Sequence, residues 1–188
     1  MKKLFTLLLL PLMLFASCGE SNETVQEDLG PQTAEQRQIE ISELEKDFLS
    51  KSDIQTGTNK AKAEHLVRRY RDYVNMNPND SISAEYLFKA ADLNIGLGNY
   101  EASIKYLDRL TTDFPTYERI VEIWLFKGFI YENYLNSHAN AVSTYDKLME
   151  KYPNHRLAAE AQAARDNLTL TDEELIEKFK KMNANKGV

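Results

Sequence analysis

The sequence predicts an all-α fold of antiparallel helix pairs stacked as a solenoid, closed by a C-terminal capping helix and preceded by a signal peptide and a flexible tether. Three observations carry this. Apolar residues recur at helical rather than strand spacing from Ala34 onward. Three helix ends look alike: Met76-Asn77-Pro78-Asn79, Asp113-Phe114-Pro115-Thr116 and Lys151-Tyr152-Pro153-Asn154. The five Pro and seven Gly of the 188 residues are few and cluster at the joints.

The first segment, 1–17, reads as an export signal. Lys2 and Lys3 form a positive start, and Leu4 to Phe15 is an apolar run interrupted by Pro11. A membrane-spanning helix needs about 20 apolar residues, so this run is too short to span and fits a secretory leader. Phe15-Ala16-Ser17-Cys18 ends it, and Cys18 is the single cysteine of the chain. One cysteine makes no internal disulfide and no metal cluster. Small residues before a cysteine resemble the lipobox of bacterial lipoproteins, although Phe15 stands where Leu is commoner. The resemblance implies cleavage before Cys18 and a diacylglycerol on its thiol. The alternative is a plain cleaved leader with Cys18 incidental. Gly19 follows, and by resemblance to enterobacterial sorting it implies the outer membrane; which face carries the protein stays open.

Residues 18–33 read as a lipid-anchored tether. Glu20, Ser21, Asn22, Glu23, Glu27, Asp28 and Gly30-Pro31 offer too little apolar surface to offset the entropy of ordering. A coil of this length reaches roughly 20 Å.

The helical part is placed at 34–168. Ile41, Leu44 and Phe48 make one apolar stripe, a polar loop containing Gly57 follows, and Leu66, Tyr70 and Tyr73 make a second. The second stripe stops before Asn77-Pro78, a helix-ending signal. Eight and five residues before the three prolines stand Tyr70 and Tyr73, Leu107 and Leu110, Tyr145 and Leu148. Twelve before them stand Leu66, Ser103 and Ala141; a small residue there lets paired helices approach closely. A generic helical bundle also produces apolar stripes, but it does not bring three such endings into register.

After Pro153, Leu157 to Ala164 is a strong helix former and reads as a capping helix. The segment 169–188 holds a final helix and tail. Thr171-Asp172-Glu173-Glu174 is a capping box that starts this helix, which runs through Lys181 with Leu175, Ile176 and Phe179 expected to dock it.

The repeated endings resemble the tetratricopeptide repeat (TPR), a helix pair with the pattern W-x₂-L-G-x₂-Y…A-x₃-F…P. Trp124, Gly128, Tyr131, Ala141, Tyr145 and Pro153 carry it best, with Lys127 where Leu is usual. A second unit has Leu87, Ala90, Ala91 and the turn Gly98-Asn99-Tyr100-Glu101-Ala102, with Ser103 in place of Ala. The first unit is degenerate. About three units are expected, and the resemblance implies protein binding on the concave face. By register, the partner-binding groove would hold Glu85, Phe88, Asp92 and Ile95 from one unit, and Leu125, Phe129, Glu132 and Asn133 from the next. Such a surface suits a peptide with basic and apolar side chains. Phe88 and Phe129 fit equally well as core between helices.

No catalytic chemistry is expected. His65 on the second helix, His138 in a turn and His155 just after Pro153 lack metal-ligand spacing. There is no phosphate loop, nucleophile elbow or H-E-x-x-H. The formal net charge is −6 without a basic stripe, which argues against nucleic acid. No cofactor is expected apart from the covalent lipid on Cys18. The function expected is a scaffold, anchored to the membrane by that lipid, that binds partner proteins or peptides of the cell envelope. The alternative is a glycan- or peptidoglycan-binding lipoprotein for uptake or wall attachment.

Overall fold

The computed structural model describes residues 33–50 and 57–186. The leader, Cys18 and the tether up to residue 32 lie outside the described residues.

Eight helices form the described part: α1 (Ala34–Leu49), α2 (Gly57–Met76), α3 (Ile82–Gly96), α4 (Tyr100–Asp113), α5 (Ile120–Asn133), α6 (His138–Lys151), α7 (Arg156–Thr169) and α8 (Asp172–Lys186). Local chemistry sets their ends. Thr33 and Gln36 close a reciprocal box at the start of α1: the Gln36 amide donates to Thr33 Oγ1 at 3.2 Å, and the Thr33 amide to Gln36 Oε1 at 2.9 Å. Asp80 Oδ1 accepts from the Ile82 amide at 3.1 Å and so serves the first turn of α3. His155 Nδ1 accepts from the Leu157 amide at 3.2 Å at the start of α7.

α2, α4 and α6 each stop two residues before a proline, and their last bonds repeat. The amides of Asn77, Phe114 and Tyr152 donate to the carbonyls of Tyr73, Leu110 and Leu148 at 2.9, 3.0 and 2.9 Å. The next residue is proline, which has no N–H to continue the ladder. The turns inside the pairs also correspond. Gly98 adopts φ 76° between α3 and α4, and Asn136 adopts φ 46° between α5 and α6. The left-handed region is open to glycine and, among other residues, best tolerated by Asn and Asp.

Each helix from α1 to α7 packs on its neighbour in the chain, and α5 also meets α7. One core runs through this stack. Tyr70, Tyr73, Leu107, Leu110, Tyr145 and Leu148 are all buried in it, as are Leu66, Ser103 and Ala141. These are the proline-phased positions, so the phasing in sequence is the phasing of burial. Trp124 is buried too, with the Lys127 ammonium 4.9 Å from its ring centroid. Lys127 is tolerated where Leu is usual because its ammonium also pairs with Asp108 of α4 at the edge of the core.

Four expectations need correction. Gly57 opens α2 and does not belong to the loop before it. His138 is the first residue of α6, not part of a turn. Tyr100, Glu101 and Ala102 already form the first turn of α4. The final helix extends past Lys181 to Lys186, and it is not docked by Ile176 and Phe179, each of which is 54% exposed. α8 has at most marginal contact with the other helices. Its link to α7 is an ion pair from Lys178 to Asp166 at 2.8 Å.

Candidate partner-binding groove

The groove residues predicted from repeat register fall on α3 and α5, the first helices of two successive pairs. Phe88 and Leu125 occupy equivalent positions, and both are half-buried against the core. The Phe88 ring is further covered by Arg119, whose guanidinium carbon lies 4.4 Å from its centroid. Asp92 and Phe129 are also equivalent, and both are exposed; Phe129 keeps 43% of its surface. Ile95 and Glu132 are again equivalent and half-buried. Asn133 is exposed, and its amide donates to the Phe129 carbonyl at 3.1 Å. The exposed line is therefore Asp92, Phe129 and Asn133, whereas Phe88 and Leu125 lie beneath it.

The two glutamates among these residues are held by tyrosines. Tyr117 donates to Glu85 at 2.6 Å, and Tyr145 of α6 donates to Glu132 at 2.8 Å. The first pair has the same device: Tyr70 of α2 donates to Glu45 of α1 at 2.7 Å. Tyr70 and Tyr145 stand at the same distance before their prolines. Burial raises both phenols well above the usual range, and the accepting carboxylates push them further. Tyr117 is pushed up to about 12 by burial and by Glu85.

A cleft of about 210 Å³ opens among α1, α2 and α3. Phe48, Leu49, Leu66, Tyr70 and Leu93 make its apolar lining, with Glu45, Lys89 and Asp92 at its polar side. The Lys89 ammonium bonds the Glu45 carboxylate at 2.9 Å, so Glu45 is shared between an ammonium and a phenol. Leu49, at the end of α1, is 76% exposed. Of these residues only Asp92 was predicted as a groove residue. α1 is too far from the repeat pattern to give a register, so Glu45, Phe48 and Leu49 could be read only as stripe members or not at all; Tyr70 was placed by its proline, but as a core residue and not as cleft lining. Lys89 sits beside Phe88 in the chain, and no motif position marks it.

A second exposed feature lies where α4 begins and α5 ends. Tyr100 and Tyr134 stack with centroids 4.5 Å apart, and Phe129 meets Tyr134 edge-on at 5.8 Å. Tyr134, like Phe129, is 43% exposed.

The histidines do not converge. His65 accepts from Arg69 Nε at 3.2 Å, and burial beside Arg69 and Arg68 lowers its pKa. Among the described residues, no group of three or more His, Cys, Asp and Glu is placed to hold a metal ion. Among them, too, no helix is long and apolar enough to cross a membrane.

No curated protein matches the chain. The model of the tetratricopeptide repeat matches residues 85–117 and 127–155, roughly a third of the sequence. Those segments span most of α3 with α4 and the second half of α5 with α6. The described chain is thus a tetratricopeptide-type helical solenoid, a fold that typically serves as a protein-binding scaffold rather than a catalyst.

Proposed function

We propose that this protein is a scaffold of the bacterial cell envelope, anchored through lipid on Cys18, that grips an extended or helical segment of a partner protein in the α1–α2–α3 cleft. The observation that carries the reading is the cleft itself. It offers an apolar pocket for a single large side chain, bordered by the Glu45–Lys89 ion pair and by the Asp92 carboxylate. A partner segment with an apolar anchor next to a basic residue complements it. Asp92, Phe129 and Asn133 would continue the contact along the following unit. The lipobox-like Phe15-Ala16-Ser17-Cys18 supports the anchor, and Gly19 supports the outer membrane. A role in outer-membrane or envelope assembly fits this placement.

Capture of crosslinked partners in cells tests the reading, using the full chain with a tag beside Leu49→Asp and Phe129→Ala variants. One dominant envelope protein, lost with Leu49→Asp, is the expected result. Identical capture by both variants and the parent would overturn the groove assignment. Cys18→Ala should abolish lipid labelling, and labelling that persists would overturn the anchor.

The Tyr100–Tyr134–Phe129 cluster favours a second reading, a glycan ligand, because exposed aromatic rings suit the apolar faces of sugars. Saturable glycan binding that disappears in Tyr134→Ala would select it over the peptide.

A further inference from the structure

α8 presents an apolar stripe that, among the described residues, packs against no other helix to more than a marginal extent. Ile176, Phe179 and Met182 are 54%, 54% and 45% exposed, and they fall on one side of the helix by their spacing. Three adjacent large apolar side chains in water are a cost that isolated exposed residues do not carry. The charge around the stripe is graded. Glu173, Glu174 and Glu177 come first along α8, and Lys178, Lys180 and Lys181 follow them. Not all of these are equally placed to meet a partner. Lys178 is engaged by Asp166 of α7, and Lys181 pairs with Glu177 within α8 at 3.4 Å. Glu173 and Lys180 remain on the flank of the stripe beside Ile176, two turns apart and both exposed.

We propose that α8 is a self-association surface, on which the α8 of a second copy packs antiparallel. The argument is charge complementarity combined with the unpartnered stripe. The acidic-to-basic gradient suits the dipole of α8 itself. It also makes α8 complementary to its own reverse. In an antiparallel pair Glu173 faces Lys180 of the second copy, and Lys180 faces its Glu173, with the two-fold axis near Ile176. A parallel pair would set Glu173 against Glu173 and Lys180 against Lys180. A two-fold, self-complementary contact of this kind closes at the dimer. A single helix pair buries less than a standard interface, so the dimer is weak and depends on concentration.

The mass of the full chain, purified in detergent, tests this by light scattering across a concentration series up to the most concentrated sample attainable. The parent should pass from monomer to dimer. Ile176→Glu/Phe179→Glu should stay monomeric while far-ultraviolet circular dichroism shows the helices intact. Glu173→Lys alone should weaken dimerisation by roughly tenfold or more, because it sets like charges face to face twice. Adding Lys180→Glu in the same chain should restore it. A parent that is monomeric at every concentration, a dimer indifferent to Ile176→Glu/Phe179→Glu, or a charge-swapped chain no better than Glu173→Lys would each overturn the proposal.

Discussion

Tyr145 lies across the backbone of Gly128. A Cβ built on Gly128 would fall 2.6 Å from Cδ1 and 2.8 Å from Cζ of that ring, closer than packed atoms come. The ring has no easy retreat, since Tyr145 is buried and its hydroxyl is fixed to Glu132. The contact joins α5 to α6 and explains why a residue unfavourable to helices stands inside α5.

Gly128→Ala therefore sets two effects against each other. Alanine gains up to about 1 kcal/mol of helix propensity, and overpacking costs about 1–3 kcal/mol. Overpacking should win, and Gly128→Leu should lose more than Gly128→Ala. Urea melts read both. A Gly128→Ala protein more stable than the parent would mean that Tyr145 moves aside freely.

Ser103 is the complementary case. It is buried in α4, and its Oγ has no hydrogen-bond partner among the described residues. Ala141 fills the equivalent place in α6. Ser103→Ala should stabilise the protein by about 1 kcal/mol, through a removed desolvation penalty and a better helix former. A drop in the denaturation midpoint would show that the hydroxyl is satisfied in solution.

Tyr70 and Tyr145, each eight residues before its proline, make the same bond but should not cost the same to lose. Tyr70→Phe and Tyr145→Phe each remove one hydrogen bond to a carboxylate and leave the ring packing in place. A bond to a charged group is worth about 1.5–3 kcal/mol. Tyr145→Phe should fall in that range. Tyr70→Phe should cost less, because Glu45 keeps Lys89. Equal costs would argue that the Lys89 contact contributes nothing. Leu107 holds the same position in α4 without a hydroxyl, so the site itself accepts an apolar side chain.

The raised phenols predict a loss of stability in alkali. Burial holds Tyr86 and Tyr117 up to about 12, against about 10 in an unfolded chain. The unfolded state thus releases its protons first and binds fewer above pH ~10, so stability is complete below that pH and falls as pH rises towards ~12. Urea midpoints measured across this window should decline, and Tyr117→Phe should decline less steeply. A variant with the same slope as the parent would remove Tyr117 from the account.

Much of the fold was legible because proline and the −8 and −5 positions repeat together, joined in the second and third repeats by a small −12 residue, and each has one physical reading. Pro78, Pro115 and Pro153 end a hydrogen-bond ladder; the residues before them face the paired helix. The ends of α8 show the limit. Ile176 and Phe179 announce an apolar face, but periodicity says only that a face exists, not that the chain supplies something to cover it. The groove was partly legible for the same reason. Equivalent positions on α3 and α5 share their burial, so register placed Asp92 and Phe129 on one line. It did not reveal that Arg119 lies over Phe88, nor the Phe48–Leu49 wall of the cleft, because both depend on segments outside the repeated pattern.

Neighbour-only packing has a mechanical consequence. From α1 to α7 each helix leans on the next, with α5 and α7 the added contact, and among the described residues no element straps the two ends together. A load applied between the termini would not meet a single clamp that fails all at once. Helices would peel away in sequence, α8 first, and the force would be divided over several small yields instead of one rupture. A protein of this construction stretches before it breaks, and after α8 the join between α4 and α5, the most sparsely packed of the neighbouring pairs, is where it would give.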